Sequence, residues 1–367
     1  MKRRIMKCSF LLLLLLPMLG FAGTKGEEAE KKISRQFTTQ ANGYLDINNR
    51  YGDIDIAIGE SNKIKIDVLI TAEASSLKKA QEAIERVNVT FQESSNRVSA
   101  QTEIASNSGW SSWFDTGEAN LRINYHVLVP EDIYLSLINK YGNIYVETTS
   151  RDLRIDLSYG DIRLGDIKSK LSLKMAYGDG TMAKIADGDI DLSYSDLEMK
   201  DANAVRLEMK YTDLVMGSAT RLKLISSYSN LRGKDVSELS YAGKYDDLVF
   251  ERVKDIEAES AYSGLKLGGL GTSGRFDMRY GDLSVGDIER GFAMININTS
   301  YTGVVLDFVE DASFTIDAQN NYCDINHHGL KVTEDIQKAG STTLKASKGT
   351  GGGQVIARMN YGELSIQ

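Results

Sequence analysis

Leu171-Ser-Leu-Lys-Met-Ala-Tyr-Gly-Asp179, followed by Asp189-Ile-Asp-Leu-Ser-Tyr-Ser-Asp196, is the stretch that decides the fold. Apolar residues fall at every second position up to each tyrosine: Leu171, Leu173, Met175 and Tyr177, then Ile190, Leu192 and Tyr194. Period two marks a strand with one buried face. Past each tyrosine come a small or turn-forming residue, usually Asp or Asn, and then usually Ile or Leu. This phrase recurs thirteen times, at Tyr51, Tyr141, Tyr159, Tyr177, Tyr194, Tyr211, Tyr228, Tyr245, Tyr262, Tyr280, Tyr301, Tyr322 and Tyr361. From Tyr141 to Tyr280 every step is 17 or 18 residues. A short fixed period means that each copy is one unit stacked on the next.

Downstream of the tyrosine, apolar residues return three and five positions on, as in Ile162 and Leu164, Leu197 and Met199, and Leu248 and Phe250. A further inward position follows at Ile167, Ile185, Val236 and Val253. The odd interval breaks the pleat parity, so a corner or bulge is expected at the Gly-Asp or Ser-Asp pair. Upstream parity places the tyrosine on the buried face, where its ring packs as a corner post. A rung of this kind cannot bury its apolar face alone, and stacking rungs forms parallel sheets along the body. The expected fold is all-β: a single-stranded parallel β-helix with 17–18-residue rungs, right-handed by the crossover rule. At ~4.8 Å per rung, the copies from Tyr141 make a rod roughly 50 Å long. Only Pro17 and Pro130 occur, as suits a chain whose backbone N–H groups belong to ladders.

The ends read differently. Lys2, Arg3, Arg4 and Lys7 precede an apolar run from Ser9 to Leu16, and Gly20-Phe21-Ala22 supplies small residues for cleavage. Residues 1–22 are expected to be an export signal, and 23–36 a charged linker. Cys8 lies before the apolar run, so no lipid anchor is expected. Residues 37–140 hold a first rung (44–58) and a small α+β cap. In the cap, Ser75-Ser76 precedes Leu77, Ala80, Ala83, Ile84 and Val87 at helical spacing, and strands are expected at 63–71, 87–92, 97–103 and 121–129. Residues 141–367 are the solenoid repeats. The last spacings loosen to 21, 21 and 39, with a glycine-rich loop before the final copy.

The formal charge is −8, and without the four signal cations 39 Lys plus Arg face 51 Asp plus Glu. That balance opposes nucleic acid or anionic membrane as partners. Of the two cysteines only Cys323 outlasts processing, which leaves no internal disulfide. No later segment has the length of a membrane span.

Three features are candidate sites. Asp53, Asp161, Asp179, Asp196, Asp213, Asp247, Asp282 and Asp324 share one position, which Asn143, Asn230, Gly264 and Gly303 also occupy. A calcium ladder would relieve the carboxylate repulsion, but Asn and Gly in the same slot favour turn chemistry. No metal or cofactor is therefore expected. The tyrosine column Tyr141 to Tyr280 is read as structural, against the alternative of an exposed sugar-binding ladder. The loop Ser106–Gly117 holds both tryptophans, and Trp110, Trp113 and Phe114 form a candidate contact for a protein or glycan partner. Catalytic residues are not expected. His126 lies in a strand, and Cys323 near His327 and His328 occupies an ordinary slot of the repeat.

Gly52-Asp-Ile-Asp-Ile56, the Val127-Leu-Val-Pro130 strand leading to Tyr141-Gly-Asn-Ile144, and the Gly-Asp-Ile-like rungs that follow resemble the bacterial "putative adhesin" families of Bacteroidetes envelopes. The resemblance covers residues 37–367. It implies a β-helix at the envelope or surface and supplies no catalytic residues. The functional expectation is a non-enzymatic exported scaffold or adhesion protein, periplasmic or at the surface. A carbohydrate-active β-helix enzyme and a periplasmic sensor are the alternatives.

Overall fold

The computed structural model describes residues 26–105 and 119–367, which form a β-solenoid capped at both ends. The expected signal (1–22) and the Trp110, Trp113 and Phe114 loop lie outside the described residues. In chain order the N-terminal part contains β1 (Glu27–Thr38), β2 (Tyr44–Arg50), β3 (Ile54–Ile58), β4 (Lys63–Ala74), α1 (Leu77–Glu85), β5 (Val87–Ser94), β6 (Arg97–Ile104), β7 (Ala119–Val129), β8 (Tyr134–Lys140) and β9 (Ile144–Thr149).

β2 and β3 are the first full rung. β2 lies parallel between β6 and β8, and β3 parallel between β7 and β9. The cap then turns the pairing antiparallel: β5 runs against β6, β4 against β7, and β1 against β4. The growing parallel edge thus ends on hairpin-type strands. Helix α1 covers the cap. Ser76 Oγ accepts from the Lys79 N–H at 3.4 Å, while Ala80, Ala83 and Ile84 are buried. Contrary to the linker expectation for 23–36, the chain from Glu27 is strand β1. Its half-buried positions, Ala29, Ile33 and Phe37, recur every fourth residue, so the edge strand lacks the period-two signature.

Beyond the cap the rungs stack in parallel, in register along each face and shifting only at a corner. Leu153–Ser158 lies between β8 and Leu171–Ala176, with Leu135, Leu153 and Leu171 in one column. Leu173, Ile190, Leu207 and Leu224 continue the neighbouring column. These columns are buried along the length of the body in one continuous core. The 18-residue rungs carry their extra residue at the corner farther from the tyrosine, where the pairing shifts between Ile167 and Lys170.

The C-terminal end departs from chain order. The strand Met294–Phe308 does not pair with the next one, Phe314–His327. The last strand, Gly353–Ile366, lies parallel between them. The chain skips a level, forms the hairpin of Lys331–Lys338 and Ser341–Lys348 on the outer edge, and returns to fill the gap. That path explains the loosened spacing of the last copies.

Candidate functional site

The repeat corner is the tyrosine itself. All thirteen adopt left-handed backbone, with φ between 51° and 63°. This conformation reverses the pleat at that residue and swings the ring out of the core. From Tyr141 onward the column tyrosines are 44–66% exposed, so the expectation of inward rings is corrected. The following residue points inward instead: Ser195, Thr212, Ser229, Asp246, Ser263 and Thr302 are all buried. Counting back from the apolar residues at the third and fifth positions would have placed this small residue inside and the tyrosine outside.

Outside, the rings form one stack. It runs Tyr51, Tyr141, Tyr159, Tyr177, Tyr194, Tyr211, Tyr228, Tyr245, Tyr262, Tyr280, Tyr301, Tyr361, Tyr322, with centroids 4.7–5.3 Å apart and planes within 18°. Near Tyr322, Gly340 (φ +80°) packs so closely that a Cβ there would lie 2.9 Å from the ring. Because each ring between the two ends is covered by rings on both faces, the column offers solvent its edges and hydroxyls rather than the faces on which a sugar would stack.

Two polar columns flank the rings. Outside, Asp53, Asn143, Asp161 and Asp196 each accept from the backbone N–H of their equivalent one rung on: Asn143 N–H to Asp53 (2.8 Å), Asp161 N–H to Asn143 (2.8 Å), Asp179 N–H to Asp161 (2.9 Å), Asp213 N–H to Asp196 (3.3 Å). The expected backbone bonding is present, but it joins rungs rather than closing a single turn. Inside, the hydroxyls repair the corner. Ser195, Thr212, Ser229 and Ser263 each donate to the carbonyl two residues earlier at 3.0–3.1 Å. Ser229 and Ser263 also accept from a backbone N–H of the adjoining rung. Among the described residues, no three His, Cys, Asp or Glu side chains gather as a metal site. His327 and His328 follow Cys323 on the outermost rung, half-buried and exposed respectively.

The inner column carries one ionisable carboxylate, Asp246. Its carboxylate accepts from Ser226 Oγ (2.8 Å), Tyr241 Oη (2.9 Å) and the Ser229 N–H (3.0 Å). Burial pushes the carboxyl above its ordinary pKa, and these donors offset part of that rise. Gly243 makes the room, since a Cβ there would lie 2.3 Å from the Asp246 carboxylate. Desolvation likewise pushes up the Tyr241 phenol. On the outer side of the same sheet is a depression of about 660 Å³, lined by Ile225, Ala242, Lys244, Glu259 and Arg279 among others.

A second irregular place lies where the cap meets the solenoid. Ser34, Asp67, His126 and Asp55 stand opposite one another across β1, β4, β7 and β3. His126 Nδ1 is 3.0 Å from Asp55, and Ser34 donates to Asp67 at 2.6 Å. The Lys65 ammonium, 2.7 Å from Asp67, and then the Ser34 hydroxyl hold that carboxyl below its ordinary pKa. These groups border a cleft of about 520 Å³ with Ile33, Val68 and Tyr125 in its wall. The sequence reading passed over this row because its members come from four strands with no common spacing.

No family model matches the chain, and no curated protein does. Solved structures are similar, two of them as follows. One, described as a "putative cell adhesion protein" from Clostridium sporogenes, is 9% identical with a TM-score of 0.19, covering 92% of this chain and 99% of that one. The other, a "putative adhesin" from Parabacteroides merdae, is 7% identical with a TM-score of 0.32, covering 76% of this chain and 97% of that one. Neither match assigns a role to any residue.

Proposed function

We propose that the chain is a non-enzymatic exported protein of the cell envelope, a rigid rod used for adhesion or scaffolding. The observation that carries this reading is the unbroken row of exposed phenols. A non-glycine residue in left-handed backbone costs ~1–2 kcal/mol, and an aromatic pair returns ~0.5–1.5 kcal/mol. Stacking therefore roughly offsets the backbone cost and leaves little net stability. What tyrosine adds over glycine or asparagine at these corners is a line of hydroxyls held at rung spacing, flanked by carboxylates. Such a line suits an extended partner, a glycan or a strand-like protein segment, that meets several rungs at once.

Glycan-array and pull-down screening of the mature protein tests this. Replacing Tyr194, Tyr211 and Tyr228 together by Phe keeps the stack and removes three hydroxyls. The reading expects weakened capture of whatever the parent retains. Equal capture by parent and variant removes the column from the binding surface. Trp110→Ala/Trp113→Ala tests the candidate loop in the same screen. N-terminal sequencing of the exported product should begin near Gly23; a product that retains Met1 contradicts cleavage.

The cleft at the cap favours a second reading, a carbohydrate-active enzyme, because it gathers His126 and Asp67 of the cap beside Asp55 of the first rung. Polysaccharide turnover by the parent that is lost in Asp55→Asn would support it. No turnover on any polysaccharide that the protein binds would dismiss it.

A further inference from the structure

We propose that the tyrosine column is a site of oxidative modification, in which neighbouring rungs become joined covalently through dityrosine links. This inference is independent of what the rod binds. Three observations carry it. Consecutive rings sit 4.7–5.3 Å apart over the whole column. From Tyr141 to Tyr361 they are 44–51% exposed, and Tyr322 reaches 66%. The stacked planes are nearly parallel, and the rings leave equivalent positions of parallel-paired rungs with closely similar φ, so they depart from the backbone side by side. Rotation about χ2, a soft torsion in aromatic side chains, turns the ring edges toward each other and brings the carbons ortho to the hydroxyls into proximity.

The chemistry needs a one-electron oxidant, such as a haem peroxidase supplied with hydrogen peroxide. Each of two neighbouring phenols loses one electron to the oxidant and its hydroxyl proton to water. The two resulting radicals form one carbon–carbon bond between ortho positions. Each ring then moves its ortho hydrogen to the phenol oxygen and regains aromaticity. Two phenols thus yield one linked pair, two electrons and two protons, and one peroxide takes up both to become two waters. The buried Tyr125 and Tyr241 are withheld from this reaction, although both hydroxyls are hydrogen-bonded. Because the stack runs the length of the solenoid, each link adds a side-chain covalent bond between two rungs that otherwise meet there through ring stacking, core packing and hydrogen bonds.

The experiment treats dilute, monomeric mature protein with peroxidase and peroxide, then maps tryptic peptides by mass spectrometry. The expected products are intramolecular links between consecutive column members, such as Tyr194 with Tyr211 and Tyr228 with Tyr245. Each link should lower the mass by two hydrogens and raise the urea midpoint of the oxidised monomer. In Tyr211→Phe/Tyr245→Phe the stack is kept, but Tyr228 has no phenol on either side, so its links should vanish while Tyr159–Tyr177 links persist. Three results would each overturn the proposal: links only between molecules, links in which Tyr125 or Tyr241 are as frequent as column neighbours, or Tyr228 links undiminished in the variant.

Discussion

A tyrosine in left-handed backbone is uncommon once; here one corner uses it thirteen times. The stacking energetics make a specific forecast at Tyr194. Tyr194→Ala keeps the backbone cost and loses two ring contacts, so it should destabilise by ~1–3 kcal/mol. Tyr194→Gly loses the same contacts but relieves the backbone, and should be less destabilised than the alanine variant by about 1 kcal/mol. Urea melts of the two variants check the order; alanine equal to or better than glycine would contradict it. At Asp246 the sign is set by burial. Its folded-state pKa lies above the unfolded value of 3.8. Its contribution therefore favours folding at the acid end and is lost as pH rises from about 3.8 through the raised folded value. Asp246→Asn should flatten that part of the stability–pH curve and leave the protein at least as stable at neutral pH; an unchanged curve would contradict it. Residue identity was the legible part. The repeat, the corner and the inward apolar columns all follow from period two. The ring direction did not, because alternation counted from upstream carries on through a residue whose φ has changed sign. Asp246 was likewise invisible, since it occupies a slot that elsewhere holds Gly, Ser, Thr or Cys.

At the scale of elements, local signals worked where each element is a local unit. The helix follows from Ser76 and the spacing of Ala80, Ala83 and Ile84, and the cap strands β4 to β7 follow from their alternation. Ser76→Ala should cost about 1 kcal/mol, read from the thermal midpoint. Strand order at the C-terminus did not follow, because stacking order is not a local property. The loosened spacing marks a disturbance but does not say that the last strand enters between two earlier ones. Deleting 353–367 removes a strand hydrogen-bonded on both sides and leaves two facing edges of parallel sheet open. The shortened protein should aggregate or lose protection in hydrogen exchange from Met294 onward, while the rungs near Leu173 stay protected. Unchanged protection after 294 would show that Phe314–His327 restacks directly on Met294–Phe308.

The whole molecule is a core one rung thick, extended by stacking and closed at both ends by antiparallel strands. At ~4.8 Å per level the thirteen tyrosines span roughly 60 Å. Its surface therefore repeats along its length as its core does, and places that escape the repeat, the His126 row and the Asp246 node, stand out against it. The central claim is that the repeat turns its tyrosines outward in one continuous stack. Hydroxyl-radical footprinting with residue-level mass spectrometry tests it most directly. The account predicts strong, similar labelling of Tyr159, Tyr194, Tyr228 and Tyr262, with Tyr125 and Tyr241 protected. Column tyrosines as protected as Tyr241 would contradict it.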